Sequence, residues 1–174
     1  MSDNFKIGVE IEKKYIIARP DVNALARMEG YSSSEILQIY LPSDGTVTHR
    51  VRRRTVGDTV SYTETKKIRI DKLSSTEIEG EISAERFAQL SSSPKDGTRP
   101  ITKVRHVFFY RGQQFEIDVY PEWQYTAIME TELESRETEV EFPECVRILR
   151  DVTGDKRYSN ASMSKSFPEE ISSV

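Results

Sequence analysis

The chain has 174 residues, enough for one domain with a sizeable core. With 31% charged and 36% hydrophobic residues and a mean hydropathy of −0.58, it has no candidate membrane span, and its opening Met-Ser-Asp-Asn-Phe-Lys-Ile-Gly lacks the basic-then-apolar layout of a secretory signal, so a cytoplasmic location is expected. One cysteine and two histidines rule out an intramolecular disulfide and argue against a zinc centre, while a net charge of −4 argues against a broad nucleic-acid surface.

The first predicted strand centres on Gly8-Val9-Glu10-Ile11-Glu12-Lys13-Lys14-Tyr15 and runs to Ile17. Strict alternation puts Glu10, Glu12 and Lys14 on one face and Val9, Ile11 and Tyr15 on the other. Two carboxylates about 6–7 Å apart on one face repel by roughly 2–3 kcal/mol at an effective dielectric of about 20 unless a cation lies between them. A half-buried strand with its charges in water is the commoner reading of this motif alone, and a bound metal ion is the alternative.

Pro20 to Met28 reads as a short helix closed by Gly30, and Ser33 to Leu41 as a second extended segment ending at the Ser43-Asp44-Gly45 turn. Thr46 to Thr55 places Arg50, Arg52 and Arg54 on one face, and the Gly57-Asp58 turn pairs it in a hairpin with Thr59 to Ile70. In that second strand Lys67, rather than Lys66, shares the polar face. After a polar loop from Lys72 to Thr76, Glu77 to Ile82 reads as a strand, and Ser83 caps a helix through Leu90 with Glu85 in its first turn. Ile101 to Tyr110 carries Lys103 and Arg105 on one face, and across the Arg111-Gly112 turn Gln114 to Tyr120 places Glu116 and Asp118 together. Ala127 to Leu133 aligns Glu130 with Glu132, and Pro143 to Val152 has helical spacing. The expectation is a single domain, residues 1–174, of class α+β: about eight strands in a mostly antiparallel sheet, with three helices.

If the ionic faces converge, they surround one volume, and a barrel lets many strands point inward at once while helices cover the apolar outside. Such an interior calls for a ligand that is highly anionic and arrives with divalent cations. Arginine holds phosphate oxygens in bidentate fashion, and carboxylates are natural ligands of Mg²⁺ or Mn²⁺.

Gly8 to Ile17 resembles the E-x-E-x-K signature of the CYTH superfamily, the triphosphate tunnel metalloenzymes. Arg50 with Arg52, Thr65-x-Lys67, Glu77-x-Glu79, Lys103-x-Arg105 followed by Phe115 to Tyr120, Glu130-x-Glu132, and Val152 to Asn160 resemble further elements of that family in its own order. The resemblance implies an eight-stranded antiparallel β-barrel and a metal-dependent triphosphatase, closest to the bacterial inorganic tripolyphosphatase branch, working with two Mg²⁺ or Mn²⁺ ions. It implies metal ligation by Glu10, Glu12, Glu130 and Glu132, with Asp118 and Glu79 at a second cation. It also implies phosphate contacts from Lys14, Arg50, Arg52, Lys67, Lys103, Arg105 and Arg157, among which Lys103 and Arg105 act in catalysis with Glu12 and Glu132. The sequence departs from the family at Thr48, where members often have an acid, and at Ser75, where they often have an arginine; Arg54 and Arg69 are the candidates to supply that charge instead.

The implied partner is tripolyphosphate or another triphosphate, with no nucleic acid and no membrane; the resemblance also admits a homodimer. Nucleoside or thiamine triphosphate would need a ring-sized pocket, for which Trp123 and Tyr125 are the candidates, and an adenylyl cyclase would need a ribose hydroxyl as nucleophile. A polyphosphate or nucleotide sensor is the non-enzymatic alternative, although a sensor needs the cations more than the acids. His49, His106 and Cys145 fall outside the charged faces and read as structural.

Overall fold

The computed structural model describes residues 4–172. Nine strands form one antiparallel sheet: β1 (Lys6–Ala18), β2 (Glu29–Leu41), β3 (Val47–Val56), β4 (Thr59–Arg69), β5 (Ser74–Glu81), β6 (Ile101–Tyr110), β7 (Gln113–Val119), β8 (Thr126–Glu132) and β9 (Ile148–Asp151). The order is β5-β4-β3-β2-β6-β7-β8-β1, and pairing of β5 with β1 closes these eight into a barrel. Strand β1 makes the closure possible because it is 13 residues long. One edge pairs with β8 from Glu12 to Ala18, while the other pairs with β5 from Lys6 to Ile11 and with β9 from Tyr15 to Ile17.

Two hairpins follow from their turn residues. Gly57 takes a positive φ between Val56 and Thr59, and Arg111 and Gly112 both do so between Tyr110 and Gln113, the geometry that suits the right-handed twist of the flanking strands. Helix α2 (Ala84–Ser91) begins at Ser83, whose hydroxyl accepts the Arg86 amide at 3.1 Å.

Helix content is lower than the sequence pattern predicts. Only Val22–Leu25 (α1) is helical within 20–28, and Asn160–Met163 (α3) supplies one further turn. The 143–152 segment, expected as a helix, is loop followed by β9, since the free edge of β1 offers Ile16 and Ile17 as backbone partners for Arg150 and Ile148. The loop predicted over 72–76 is also shorter, because β5 starts at Ser74 against Ile11.

The core has three parts. Outside the barrel, Phe87 of α2 packs on Leu41 and Val51, while Leu25 of α1 and Val146 cover Tyr15, Ile17, Phe115 and Met129. The third part lies within the barrel. Ile16, Tyr40, Ile101, Tyr120 and Ile128 share the inward parity of the ionic residues and pack with Trp123, Tyr158 and Met163, plugging one end. The interior is thus apolar at one end and charged along the rest, rather than charged throughout. No helix among the described residues is long and apolar enough to cross a membrane.

Candidate active site

The ionic part of the barrel encloses a cavity of about 1590 Å³. The period of two on each strand decides its lining: Glu10, Glu12 and Lys14 from β1, Arg50, Arg52 and Arg54 from β3, Thr65 and Lys67 from β4, Glu77 and Glu79 from β5, Arg105 from β6, Glu116 from β7, and Glu130 and Glu132 from β8. Lys67, not Lys66, faces it.

Two regions differ in how charge is balanced. On the acidic side Lys67 Nζ lies 2.9 Å from Glu77, 3.4 Å from Glu10 and 4.0 Å from Glu12, and Lys14 Nζ lies 2.7 Å from Glu130. One lysine among three carboxylates leaves excess negative charge. Burial, reinforced by Glu77 and Glu12, pushes the Glu10 carboxyl up to about 7, and burial with Glu130 raises Glu12. Burial alone would lower the Lys14 ammonium, but Glu130 and Glu12 outweigh it and hold it above its usual range.

On the basic side the arginines of β3 have few acidic neighbours. Arg50 reaches Glu77 and Glu79 only at 3.9 and 4.0 Å, and its buried Nε has no hydrogen-bond partner. Arg52 donates from Nε and Nη2 to the Gln38 amide oxygen at 3.2 and 3.1 Å, and Arg54 donates to Ser34 Oγ at 3.1 Å. Burial, with Arg50 and Arg105 nearby, brings Arg52 down to about 10. A buried guanidinium beside other cations, held by neutral oxygens, is stabilised when an anion arrives. Gln38 and Tyr40 were not singled out in the sequence, yet both are buried on the inward face of β2, where Gln38 Nε2 donates to the Tyr40 hydroxyl at 3.0 Å. The alternation Ser34, Ile36, Gln38, Tyr40 is the signal that marks them.

Several predicted residues lie elsewhere. Lys103 and Asp118 point inward but sit beneath the cavity surface: Lys103 Nζ donates to Asp118 Oδ2 at 2.6 Å, and Arg105 grips Asp118 through Nε and Nη2 at 2.7 Å each. Arg105 also pairs with Glu116 and lies 3.6 Å from Glu130. Burial and the neighbouring Arg105 bring the Lys103 ammonium down to about 7, whereas Arg105 and Lys103 overcome burial to hold Asp118 far below the usual carboxylate range. Asp118, expected as a metal ligand, therefore has both oxygens engaged by Lys103 and Arg105 and does not line the cavity. Arg157 lies on the surface, paired with Asp155 at 2.6 Å, and does not join the cations that line the cavity.

Glu79 lines the cavity as expected and accepts the Thr65 hydroxyl at 2.6 Å. Both substitutes considered for Ser75, Arg54 and Arg69, line the cavity, but Arg69 is engaged with the Asp71 and Gly154 carbonyls, to which it donates at 2.9 and 3.0 Å. Trp123 packs in the apolar plug with its indole N–H on the Pro168 carbonyl at 3.2 Å, and Tyr125 lies away from the cavity, so neither forms a ring-sized pocket there. His49 accompanies Glu64 at 2.7 Å and His106 accompanies the Tyr31 hydroxyl at 3.0 Å.

The all-oxygen donor set of Glu10, Glu12, Glu77 and Glu132 suits a hard divalent cation, and the raised Glu10 and Glu12 carboxyls mark where positive charge is lacking. Among the described residues, no three such side chains are gathered into a ready-made cage. That combination fits Mg²⁺, which is commonly held by one or two carboxylates together with substrate phosphates.

The Glu10 shift has a measurable consequence. A carboxyl at about 7 when folded and 4.5 when unfolded contributes stability that is full below pH 4.5 and lost as pH rises through 7. The melting temperature of the metal-free protein should therefore fall between pH 5 and pH 7.5. In Glu10→Gln this part of the slope should disappear, and a calorimetric pH series that is identical for the two proteins would disprove the assignment.

No family model and no curated protein matches the sequence. Among solved structures, the chain is similar to the inorganic triphosphatase NE1496, with 26% identity, 91% of this chain and 96% of that chain covered, and a TM-score of 0.57. It is also similar to PH1819 of Pyrococcus horikoshii OT3, at 20% identity with 74% and 80% covered and a TM-score of 0.56. A conserved hypothetical protein from Pyrococcus furiosus is similar at 21% identity, with 74% and 80% covered and a TM-score of 0.53.

Proposed function

We propose that this chain, which has the triphosphate-tunnel fold of the CYTH superfamily, hydrolyses a triphosphate with the help of a divalent metal, and that its substrate is inorganic tripolyphosphate, cleaved to pyrophosphate and orthophosphate. The observation that carries this reading is the division of one cavity into an arginine row lacking close carboxylates and a carboxylate cluster lacking enough cations. A phosphate chain and a metal ion each supply what one side lacks. Inorganic tripolyphosphate needs nothing more than these charges, and of the two aromatic candidates for an organic group Trp123 is committed to the plug and Tyr125 lies away from the cavity.

In this reading Arg50, Arg52 and Arg54 bind the phosphate chain and fix its direction along the barrel, with Gln38 and Ser34 orienting the guanidinium groups. Arg105, locked by Asp118, presents a fixed cation to the charge that builds on the equatorial and leaving oxygens. Lys14 and Lys67 restrain the carboxylates and offer ammonium groups to the terminal phosphate. Glu10, Glu12 and Glu132, with Glu77 beside them, would hold the metal, which supplies Lewis-acid charge neutralisation and lowers the pKa of bound water. The oxygen of water forms the new P–O bond, the bridging P–O bond breaks, pyrophosphate departs with that electron pair, and the proton that water loses passes to the released phosphates or to solvent.

The test is phosphate release from tripolyphosphate, ATP and thiamine triphosphate, each with Mg²⁺, Mn²⁺ or EDTA. Release from tripolyphosphate that needs metal is expected; tight binding without release from any substrate would favour a sensor. Arg52→Ala should lower kcat/KM for tripolyphosphate roughly 10- to 100-fold, equivalent to about 1.4–2.7 kcal/mol. Removing a cation from beside Arg50 and Arg105 should leave the melting temperature unchanged or raised.

A further inference from the structure

Against the wall of the tunnel lies a second cavity of about 190 Å³, bounded by the β2–β3 turn, the 95–98 loop and α3. Thr46, Thr48 and Ser162 are among the residues that line both spaces, so the two adjoin there. The two linings differ sharply in charge. The tunnel has more carboxylates than cationic side chains, whereas the side cavity has Lys95 and Lys165 and no carboxylate. Asp44 and Asp96 occupy the same two turns without lining it, and His49 is turned to Glu64, which does not line it either. Neither lysine joins an ion pair among the described residues.

Size narrows the ligand. Pockets for drug-sized organic molecules occupy about 300–1,000 Å³, so this cavity is suited to a single small ion with its water rather than to a nucleotide. Lys95 and the exposed Lys165, neither of them in an ion pair among the described residues, favour a compact oxyanion, since lysine acts as a point charge toward phosphate. Its frame is held by hydrogen bonds to backbone carbonyls: the Ser43 hydroxyl donates to the Val47 carbonyl and the Thr98 hydroxyl to the Lys95 carbonyl, each at 2.6 Å, while the Lys95 amide donates to the Tyr40 carbonyl at 2.8 Å. The last bond ties the lysine loop directly to a strand whose Tyr40 also lines the tunnel.

We propose that this side cavity is an orthophosphate site that receives the small product of the tunnel reaction from the space it adjoins at Thr46, Thr48 and Ser162. The assignment of the ion as product rests on the triphosphatase reading above; the oxyanion site itself rests on Lys95, Lys165 and the absence of lining acids. The side cavity differs from the tunnel in that its lining carries lysines and no acid, so an anion bound there meets no lining carboxylate.

The experiment is titration of the full chain with inorganic phosphate, followed by calorimetry and ³¹P NMR, in wild type, in the tunnel variant Arg52→Ala and in the double variant Lys95→Glu with Lys165→Glu. The expected result is a phosphate site that survives Arg52→Ala and weakens at least tenfold in the double variant. In the same double variant, inhibition of turnover by added orthophosphate should weaken while initial kcat/KM for tripolyphosphate holds within twofold. Phosphate binding that is lost in Arg52→Ala, or that persists in the double variant, overturns the proposal. Absence of turnover in wild type alongside the expected binding pattern overturns the triphosphatase reading and upholds the oxyanion site, so the two failures are separable.

Discussion

Replacing Glu12 by glutamine is expected to abolish turnover of tripolyphosphate while raising the melting temperature of the metal-free protein. Glu12 sits in the most crowded part of the carboxylate cluster, where burial, Glu130 and Glu77 all disfavour its charged form. Glutamine keeps the shape, can donate a hydrogen bond to a neighbouring carboxylate and removes the repulsion, so stability should rise by roughly 1 kcal/mol, or about 2–4 °C for a chain of this size. The same change removes a ligand from the set proposed to hold the metal. Metal-assisted neutralisation is worth several kcal/mol, so kcat/KM should fall at least about 10³-fold. Paired thermal melts and phosphate-release assays with and without Mg²⁺ check both halves. A variant that retains turnover would remove Glu12 from the metal site, and one that melts lower would show its charge to be structurally compensated.

Asp118→Asn should have the largest effect on stability. The native carboxylate receives Lys103 and both Arg105 nitrogens at 2.6–2.7 Å in a setting where Lys103 and Asp118 are almost wholly buried. Breaking one partner of such a cluster costs about 3–5 kcal/mol because the remaining charge is left uncompensated, which corresponds to a fall in melting temperature of roughly 10 °C. Lys103→Met should cost much less, since the Lys103 ammonium already titrates at about 7 and Arg105 alone can hold Asp118. Combining the two changes and comparing with the sum of their separate effects measures the coupling directly. Equal losses for the two single variants would contradict this division of labour. Loss of the anchor also frees Arg105, so turnover should fall even at temperatures where the variant is fully folded.

Much of the site is legible in the sequence because a strand has a period of two. Glu10, Glu12 and Lys14, or Arg50, Arg52 and Arg54, must share a face whatever the rest of the fold does, and the choice of Lys67 over Lys66 follows from the same parity. The hairpins at Gly57-Asp58 and Arg111-Gly112 were equally plain, since positive φ is needed at those turns. The helix expected over 143–152 failed for the opposite reason. Spacing of apolar residues cannot reveal that the long β1 leaves an edge free, and backbone pairing there overrode the helical pattern.

Sequence alone determined which side chains look into the barrel, because alternation is a property of each strand by itself. Only the tertiary structure decided how deep each one lies, because depth depends on the stagger between neighbouring strands and on what covers the ends. That is why Arg105 reaches the cavity while Lys103, two residues away on the same face, is sealed with Asp118, and why Ile16 and Ile128 close an end that parity alone would have left charged and open. Arg157 belongs to neither class: a short 3₁₀ turn beyond the last strand sets its direction, and there Asp155 holds it on the surface.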